Sequence, residues 1–340
     1  MNATELKRRL VSILVCGASC LGVWSGRSAV AADLPGGPAP EATAVSAPAP
    51  EAAPPPAPAP PYSLPWQLRP IAAATAIRSD SSVAFYDTNG ASGNTVATLL
   101  AGSYQLTPHL APLVRLGFVQ NDAPGTAPGG SSFVNPIVGL TYARRVGSFR
   151  WAGFAGAAIP VGQGSGDNAD KGVAAANKAA QAARSGMDNS MFAVNYFTGI
   201  VGADAAYVAR NLTVQVEATL FQSLRVHGDD AGGASTDSAR TNSTMGLHVG
   251  YFVIPQLSFG AELRYQRWLT TPTQLNTTMM KVNYADSLLD NATVAIGPRA
   301  HFAIGRGMFL RPGISYSRGL DKPLSTSSYN MVQVDLPVVF

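Results

Sequence analysis

From about residue 67 onward, apolar and polar positions alternate in runs of ten or more residues, each ended by turn-forming residues. In 212–226, Leu212, Val214, Val216, Ala218 and Leu220 share one face, and Thr213, Gln215, Glu217 and Thr219 share the other. In 257–270, Leu257, Phe259, Ala261, Leu263 and Tyr265 oppose Ser258, Gly260, Glu262, Arg264 and Gln266. In 290–304, Val294, Ile296, Phe302 and Ile304 oppose Thr293, Gly297, Arg299 and His301. A period of two marks β-strands with unlike faces, because successive side chains leave a strand on opposite sides. Twelve strands are expected, over 67–87, 95–106, 111–121, 133–143, 149–162, 193–208, 212–226, 243–254, 257–270, 290–304, 308–318 and 329–340.

The connections alternate in length. The tight ones are Thr107 to Leu110, Arg144 to Ser148, Val208 to Asn211, Pro255-Gln256 and Gly305-Arg306-Gly307. The longer ones are 88–94, 122–132, 163–192, 227–242, 271–289 and 319–328. Short turns at one rim and long loops at the other fit an antiparallel up-and-down barrel whose even strand count puts both chain ends at the short-turn rim. A soluble sandwich also alternates, but with shorter strands and its polar face outside. Residues 171–186, KGVAAANKAAQAARSG, read as an Ala-rich helix inside the longest loop. Folded into the mouth, that loop would bring Lys178 or Arg184 to the bore; outside, it would cap the rim.

Composition changes the picture of what surrounds the strands. The chain has 340 residues, 46% of them hydrophobic and only 13% charged, about half the charge usual for soluble proteins. Its mean hydropathy is +0.10. So little charge on so long a chain points to a solvent other than water on one side. Beyond residue 31 no stretch of about 18 to 20 residues is apolar enough to cross a bilayer as a helix, and two cysteines cannot staple a disulfide scaffold.

Residues 1–31 read as a secretory signal peptide, with Lys7, Arg8 and Arg9, an apolar run from Leu10 to Val23, and Ala29-Val30-Ala31 as the cleavage site ending at Ala31. Both cysteines lie within it. Cys20 weakly resembles the acceptor of a lipobox, but Gly17 stands where that pattern carries Leu. Residues 32–65 are dominated by Pro and Ala and are expected to be an extended periplasmic linker. Residues 66–340 are expected to form the barrel. The net charge of +4 falls to +1 without residues 1–31, which hold four bases and one acid.

The last strand is specific. Counting back from Phe340, Val338, Leu336, Val334 and Val332 are apolar, while Met331, Gln333, Asp335, Pro337 and Val339 lie in the other register. A terminal aromatic preceded by hydrophobics at alternate positions resembles the β-signal that marks bacterial outer-membrane barrels for insertion, here carried by Gln333, Leu336, Val338 and Phe340. With the leader and the turn-loop alternation, the chain resembles a Gram-negative outer-membrane β-barrel of the porin-like class. The resemblance implies an outer-membrane location, with the linker and C-terminus periplasmic. It implies outer-membrane lipids, lipopolysaccharide, the barrel-assembly machinery and periplasmic chaperones as partners, and transport of small solutes as its role.

The inward face is expected to carry Arg115, Arg225, Arg264, Arg299 and Arg311 with Asp204, Glu217, Glu262 and Asp335. Arg264, Arg299 and Arg311 fall on successive strands, as a basic ladder in an anion-favouring path or as half of an ion-pair plug. A narrow passive channel for small hydrophilic solutes, anions among them, is the leading function. The alternatives are uptake of small hydrophobic or aromatic compounds and a structural or adhesive surface barrel with a blocked lumen. Arginines gather at the tight turns and acids at the long loops, with no basic-aromatic stripe for nucleic acid. No cofactor, metal set or catalytic motif is evident: His109 lies in a turn, His227 stands near Asp229 and Asp230 without a second acidic pair, and His248 and His301 lie two strands apart. An intact barrel is expected to migrate faster on gels unboiled than boiled; identical mobility would contradict the barrel.

Overall fold

The computed structural model describes residues 62–88, 90–166, 170–228, 237–272, 289–305, 307–321, 324–325 and 327–340. The leader 1–31 with Ala31 and Cys20, the linker to residue 61, and Asp167, Asp229, Asp230, Lys281, Asp286, Arg306 and Lys322 lie outside the described residues. The strands are β1 (Ala76–Thr88), β2 (Ala91–Ser103), β3 (Leu110–Asp122), β4 (Gly130–Phe133), β5 (Ile137–Val146) and β6 (Phe149–Ala158). After helices α1 (Lys171–Ala183) and α2 (Asn189–Phe192) come β7 (Tyr196–Ala209), β8 (Leu212–Arg225), β9 (Ala239–Ile254) and β10 (Leu257–Trp268). The chain ends with β11 (Asp290–Ala300), β12 (Phe302–Ala303), β13 (Phe309–Leu310), β14 (Gly313–Gly319) and β15 (Asn330–Val339).

These fifteen segments make twelve staves, because β4 with β5, β11 with β12, and β13 with β14 are interrupted strands. Two interruptions fall at Pro136 and Pro312, where the missing N–H cannot join a ladder. Each stave pairs antiparallel with the next, and β1 pairs with β15 from Ala76↔Val339 to Phe85↔Asn330, closing the sheet. Closure removes the sheet edges that would otherwise present unpaired N–H and C=O groups to lipid. The chain is a closed twelve-stave antiparallel β-barrel, and the exposed apolar side chains around its outside mark it as a transmembrane one.

The tight turns follow from local chemistry. Val146 pairs with Phe149 around Gly147, whose φ of 59° suits glycine, and Ala209 pairs with Leu212 around Arg210-Asn211. The first long connection expected, 88–94, is instead a tight hairpin: Thr88 pairs with Ala91, so only Asn89 and Gly90 separate the strands. The first strand is also shorter than expected. It starts at Ala76 rather than 67, because Pro70 and the lack of alternation before it offer no ladder.

The two faces are inverted relative to a soluble protein. Val216 is 50% exposed and Leu263 44%, whereas Gln215, Glu262 and Arg264 between such residues are fully buried. Exposed aliphatic and aromatic side chains encircle the wall, and polar side chains point into the bore, as lipid outside and a polar lumen inside require. Val216→Arg, which puts a charge on the lipid-facing side, is expected to cost about 2–4 kcal/mol if it lies near the bilayer midplane. Urea titration of the barrel refolded in vesicles measures it, and an unchanged midpoint contradicts the face assignment.

Candidate functional site

The lumen is occupied by two stretches of chain that are not wall. The first is residues 62–75, which turn inward before β1. Tyr62 Oη accepts from the Ile71 amide at 3.2 Å, so the segment folds back on itself, and Trp66, Leu68 and Ile71 are buried. The expected linker boundary at residue 65 is therefore corrected: Tyr62 to Pro65 are also buried within the barrel.

An extended segment without a strand partner leaves amides and carbonyls that burial would penalise. Wall side chains satisfy them. Tyr62 Oη donates to Gln215 at 2.5 Å, the Ser63 amide to Thr213 at 3.0 Å, and the Trp66 and Gln67 amides to Glu262. Arg299 Nε donates to the Leu64 carbonyl at 2.8 Å, Arg78 to the carbonyls of Pro65 and Trp66, and Gln333 to that of Trp66 at 3.1 Å.

Arg69 bridges two opposed wall carboxylates. Asp204 on β7 and Glu217 on β8 are directly opposed across the ladder, an arrangement that repulsion disfavours. Arg69 lies between them, Nε 3.3 Å from Asp204 and Nη1 3.2 Å from Glu217, while its own amide donates to Glu217 at 2.6 Å.

The second insert is the loop between β6 and β7. Its helix α1 starts at Asp170, whose carboxylate accepts from the Gly172 and Val173 amides at 2.8 and 3.0 Å. The helix lies so close to β4 that a Cβ on Gly130 would meet the Gly172 backbone at 2.5 Å. Its last carbonyls are taken by wall hydroxyls, Tyr329 on Ala182 at 2.5 Å and Ser82 on Ala183 at 2.7 Å. Just beyond, Arg184 reaches Asp80 and Asp188, each at 2.9 Å, and Arg115 pairs with Asp188. Burial disfavours the Asp188 carboxylate, but Arg115 and Arg184 outweigh it and hold its pKa below the ordinary value. That contribution is complete above the ordinary carboxylate range and is lost only as pH falls through the depressed value.

Asp80 repeats the theme of Asp204, since it stands directly opposite Asp335 where β1 meets β15. Arg184 serves Asp80, and Arg78 and Arg299 serve Asp335 at 2.7 and 3.0 Å.

All eight residues expected to line the pore point inward. Arg115 and Glu217 hold the inserted segments, Arg264 pairs with Glu262 at 2.8 Å, and Arg299 pairs with Asp335. Arg225 caps the end of β8, donating to the Asp237 carbonyl at 2.9 Å, and Arg311 reaches the Tyr62 carbonyl at 3.5 Å. Arg264 and Arg299 are thus committed to carboxylates rather than arrayed as an open basic ladder. Of the two loop residues, Arg184 enters the lumen while Lys178 lies on the exposed side of α1. In the last strand Gln333 is inside, and Leu336 and Val338 alternate with the buried Pro337.

Sequence reasoning missed Trp66, Arg69, Arg78, Asp80 and Asp188. Pro65 and Pro70, which bracket a Trp-Gln-Leu-Arg run, are the signal that argues against a strand there. It also missed the meeting of Ser63, His248 and Glu262, with Ser63 Oγ 3.2 Å from His248 Nε2 and His248 Nδ1 3.5 Å from Glu262. The order matches that of nucleophile, base and acid, but all three are buried and Glu262 is already held by Arg264 and two amides. The trio fastens the segment to the wall. His301 bonds Ser258 at 2.9 Å, His109 the Ala143 carbonyl and His227 the Pro160 carbonyl, each at 3.0 Å.

Between the two inserts lie two small cavities. One, of about 40 Å³, is bounded by Gln67 and Arg69 on one side and by Met187, Asp188 and Ser190 on the other. The second, of about 20 Å³, lies beside Trp66, Arg78 and Arg184. By size, the larger holds roughly three waters.

Neither a protein-family pattern nor a curated protein sequence matches the chain. Among solved structures it is similar to the COG4313 outer membrane channel from Pseudomonas putida F1, at 14% identity over 81% of this chain and 98% of that one, with a TM-score of 0.49. It is also similar to the NanC porin, at 9% identity over 77% and 98% with a TM-score of 0.43, and to the KdgM porin, at 10% over 77% and 99% with a TM-score of 0.41. The barrel assignment rests on the chain's own strand pairing.

Arg69→Ala and Glu262→Gln are each expected to loosen residues 62–75 without opening the barrel. Chymotrypsin then cleaves after Trp66 in the folded variants and spares the wild type; equal resistance contradicts these anchors.

Proposed function

We propose that the chain is an outer-membrane channel for small hydrophilic solutes, held closed here by residues 62–75 and by the loop between β6 and β7. The supporting observation is that two stretches of chain outside the wall occupy the bore beside small inward wall residues. Inward positions include Ala84, Ala97 and Ala158 with Ser82, Thr95 and Thr198. A small barrel can be filled by wall side chains, but here the space is filled by chain that can leave without breaking a strand pairing.

With the inserts displaced, Arg115, Glu217, Arg225, Glu262, Arg264, Arg299, Arg311 and Asp335 would line the path. Charges of both signs favour hydrated solutes over apolar ones. Their pairing supports a mixed lining more than an anion-selective one, because Arg264 and Arg299 would stay neutralised by Glu262 and Asp335. In this reading residues 1–31 direct export, 32–61 tether the barrel in the periplasm, and the short-turn rim with Phe340 faces the periplasm. Gln333, Leu336, Val338 and Phe340 serve the assembly machinery, and the long loops face lipopolysaccharide.

The closed lumen also favours a second reading, a structural surface barrel that never opens. One comparison separates the two. In planar bilayers, deletion of residues 62–70 is expected to raise single-channel conductance several-fold over wild type. A deletion variant that keeps heat-modifiable mobility yet conducts no better would support the permanently blocked barrel and overturn the channel.

A further inference from the structure

One part of the lumen gathers large apolar wall side chains around free space. Leu113, Ile137, Phe154, Ile200 and Phe221, from five consecutive staves, place apolar side chains on the inner face, all around the larger cavity. Most other inward positions on these staves are polar or small. The five apolar side chains share one buried cluster with Met191, Phe192 and the alanines of α1, and where they border the cavity instead they face free space, an apolar surface that does nothing for hydrated ions.

The cavity is also bounded by Arg115, two residues along β3 from Leu113, by Arg69, and by the carboxylates of Asp188 and Glu217. Polar atoms at the same cavity lack protein partners: both amide atoms of Gln67, Nη2 of Arg69 and Oγ of Ser190. Gln67 and Ser190 are more than nine-tenths buried, so leaving such groups unpaired costs free energy. The chamber thus combines an apolar face, unused hydrogen-bonding capacity, and two arginines that are both paired, Arg69 by the wall acids Asp204 and Glu217 and Arg115 by Asp188 of the loop.

The loop already supplies an occupant of matching chemistry. Met187 lines the cavity with an apolar side chain, and the next residue, Asp188, places its carboxylate on Arg115. We propose that the chamber is a binding site for small monocarboxylates with an apolar body, aromatic or branched aliphatic, and that Met187 and Asp188 hold that site when no solute is bound. The free space admits only water, so a ligand enters by displacing residues 187–190. Arg184 keeps Asp80 as its partner when Asp188 withdraws. The site's part in passage rests on the channel reading, whereas binding itself does not.

The test uses the full folded chain in detergent, titrated calorimetrically with benzoate, acetate and benzyl alcohol. Benzoate is expected to bind at least about tenfold more tightly than acetate, which lacks the apolar body, or benzyl alcohol, which lacks the charge. Asp188→Asn removes the internal competitor and is expected to tighten benzoate binding, while Arg115→Gln weakens it; heat-modifiable mobility checks that both variants fold. Benzoate no tighter than acetate or benzyl alcohol would overturn the proposal, and so would Asp188→Asn binding benzoate no tighter than wild type. Potassium chloride conductance of the 62–70 deletion separates the two readings. Conductance without benzoate binding removes the site alone, and binding without conductance removes the channel alone.

Discussion

Two pairs of carboxylates face each other directly across the ladder, Asp204 with Glu217 and Asp80 with Asp335, and much of the interior is arranged around that conflict. Lipid outside leaves the strands no other face for charge. Opposed acids inside a wall repel, and an uncompensated buried charge costs several kcal/mol. Each pair is relieved by an arginine from a segment that is not wall: Arg69 from the N-terminal insert at the first, Arg184 from the loop at the second. Arg78 from the adjoining β1 and Arg299 from β11, beyond β14, complete the compensation of Asp335. The barrel and its two inserts are therefore one electrostatic unit.

This coupling explains how a lumen can be closed and still be suited to opening. The inserts are held through polar contacts that water can replace and through apolar contacts of Leu64, Ile71, Met191, Phe192 and the α1 alanines with the wall. The patch of Leu113, Ile137, Phe154, Ile200 and Phe221 borders free space, where water solvates it poorly and Met187 helps to cover it. Ser63, His248 and Glu262 illustrate the same economy: a geometry that could serve chemistry in an open cleft here fastens backbone to wall.

The wall was legible in the sequence because lipid imposes a strict period of two, so Val216 or Leu263 declares its face without knowing its neighbours. Turn chemistry placed the short-turn rim for the same local reason. Residues 62–75 were not legible, since their conformation is set by side chains at 204, 217, 262 and 299 rather than by any pattern of their own. The alternation puts the charges on the inner face, but it does not show their pairing. Arg264 and Arg299 look like a ladder along the chain and become closed ion pairs only when Glu262 and Asp335 are placed beside them.

The central claim is that the stretch before the first strand lies inside the barrel. It is tested most directly with a single cysteine at Ser63, a small buried position, in a chain whose Cys16 and Cys20 are replaced by serine. A membrane-impermeant maleimide should modify Ser63→Cys only after unfolding, while Gln105→Cys at the exposed turn reacts at once in the folded barrel. If Ser63→Cys reacts in the folded barrel as fast as Gln105→Cys, residues 62–75 are not in the lumen and the account of its closure fails.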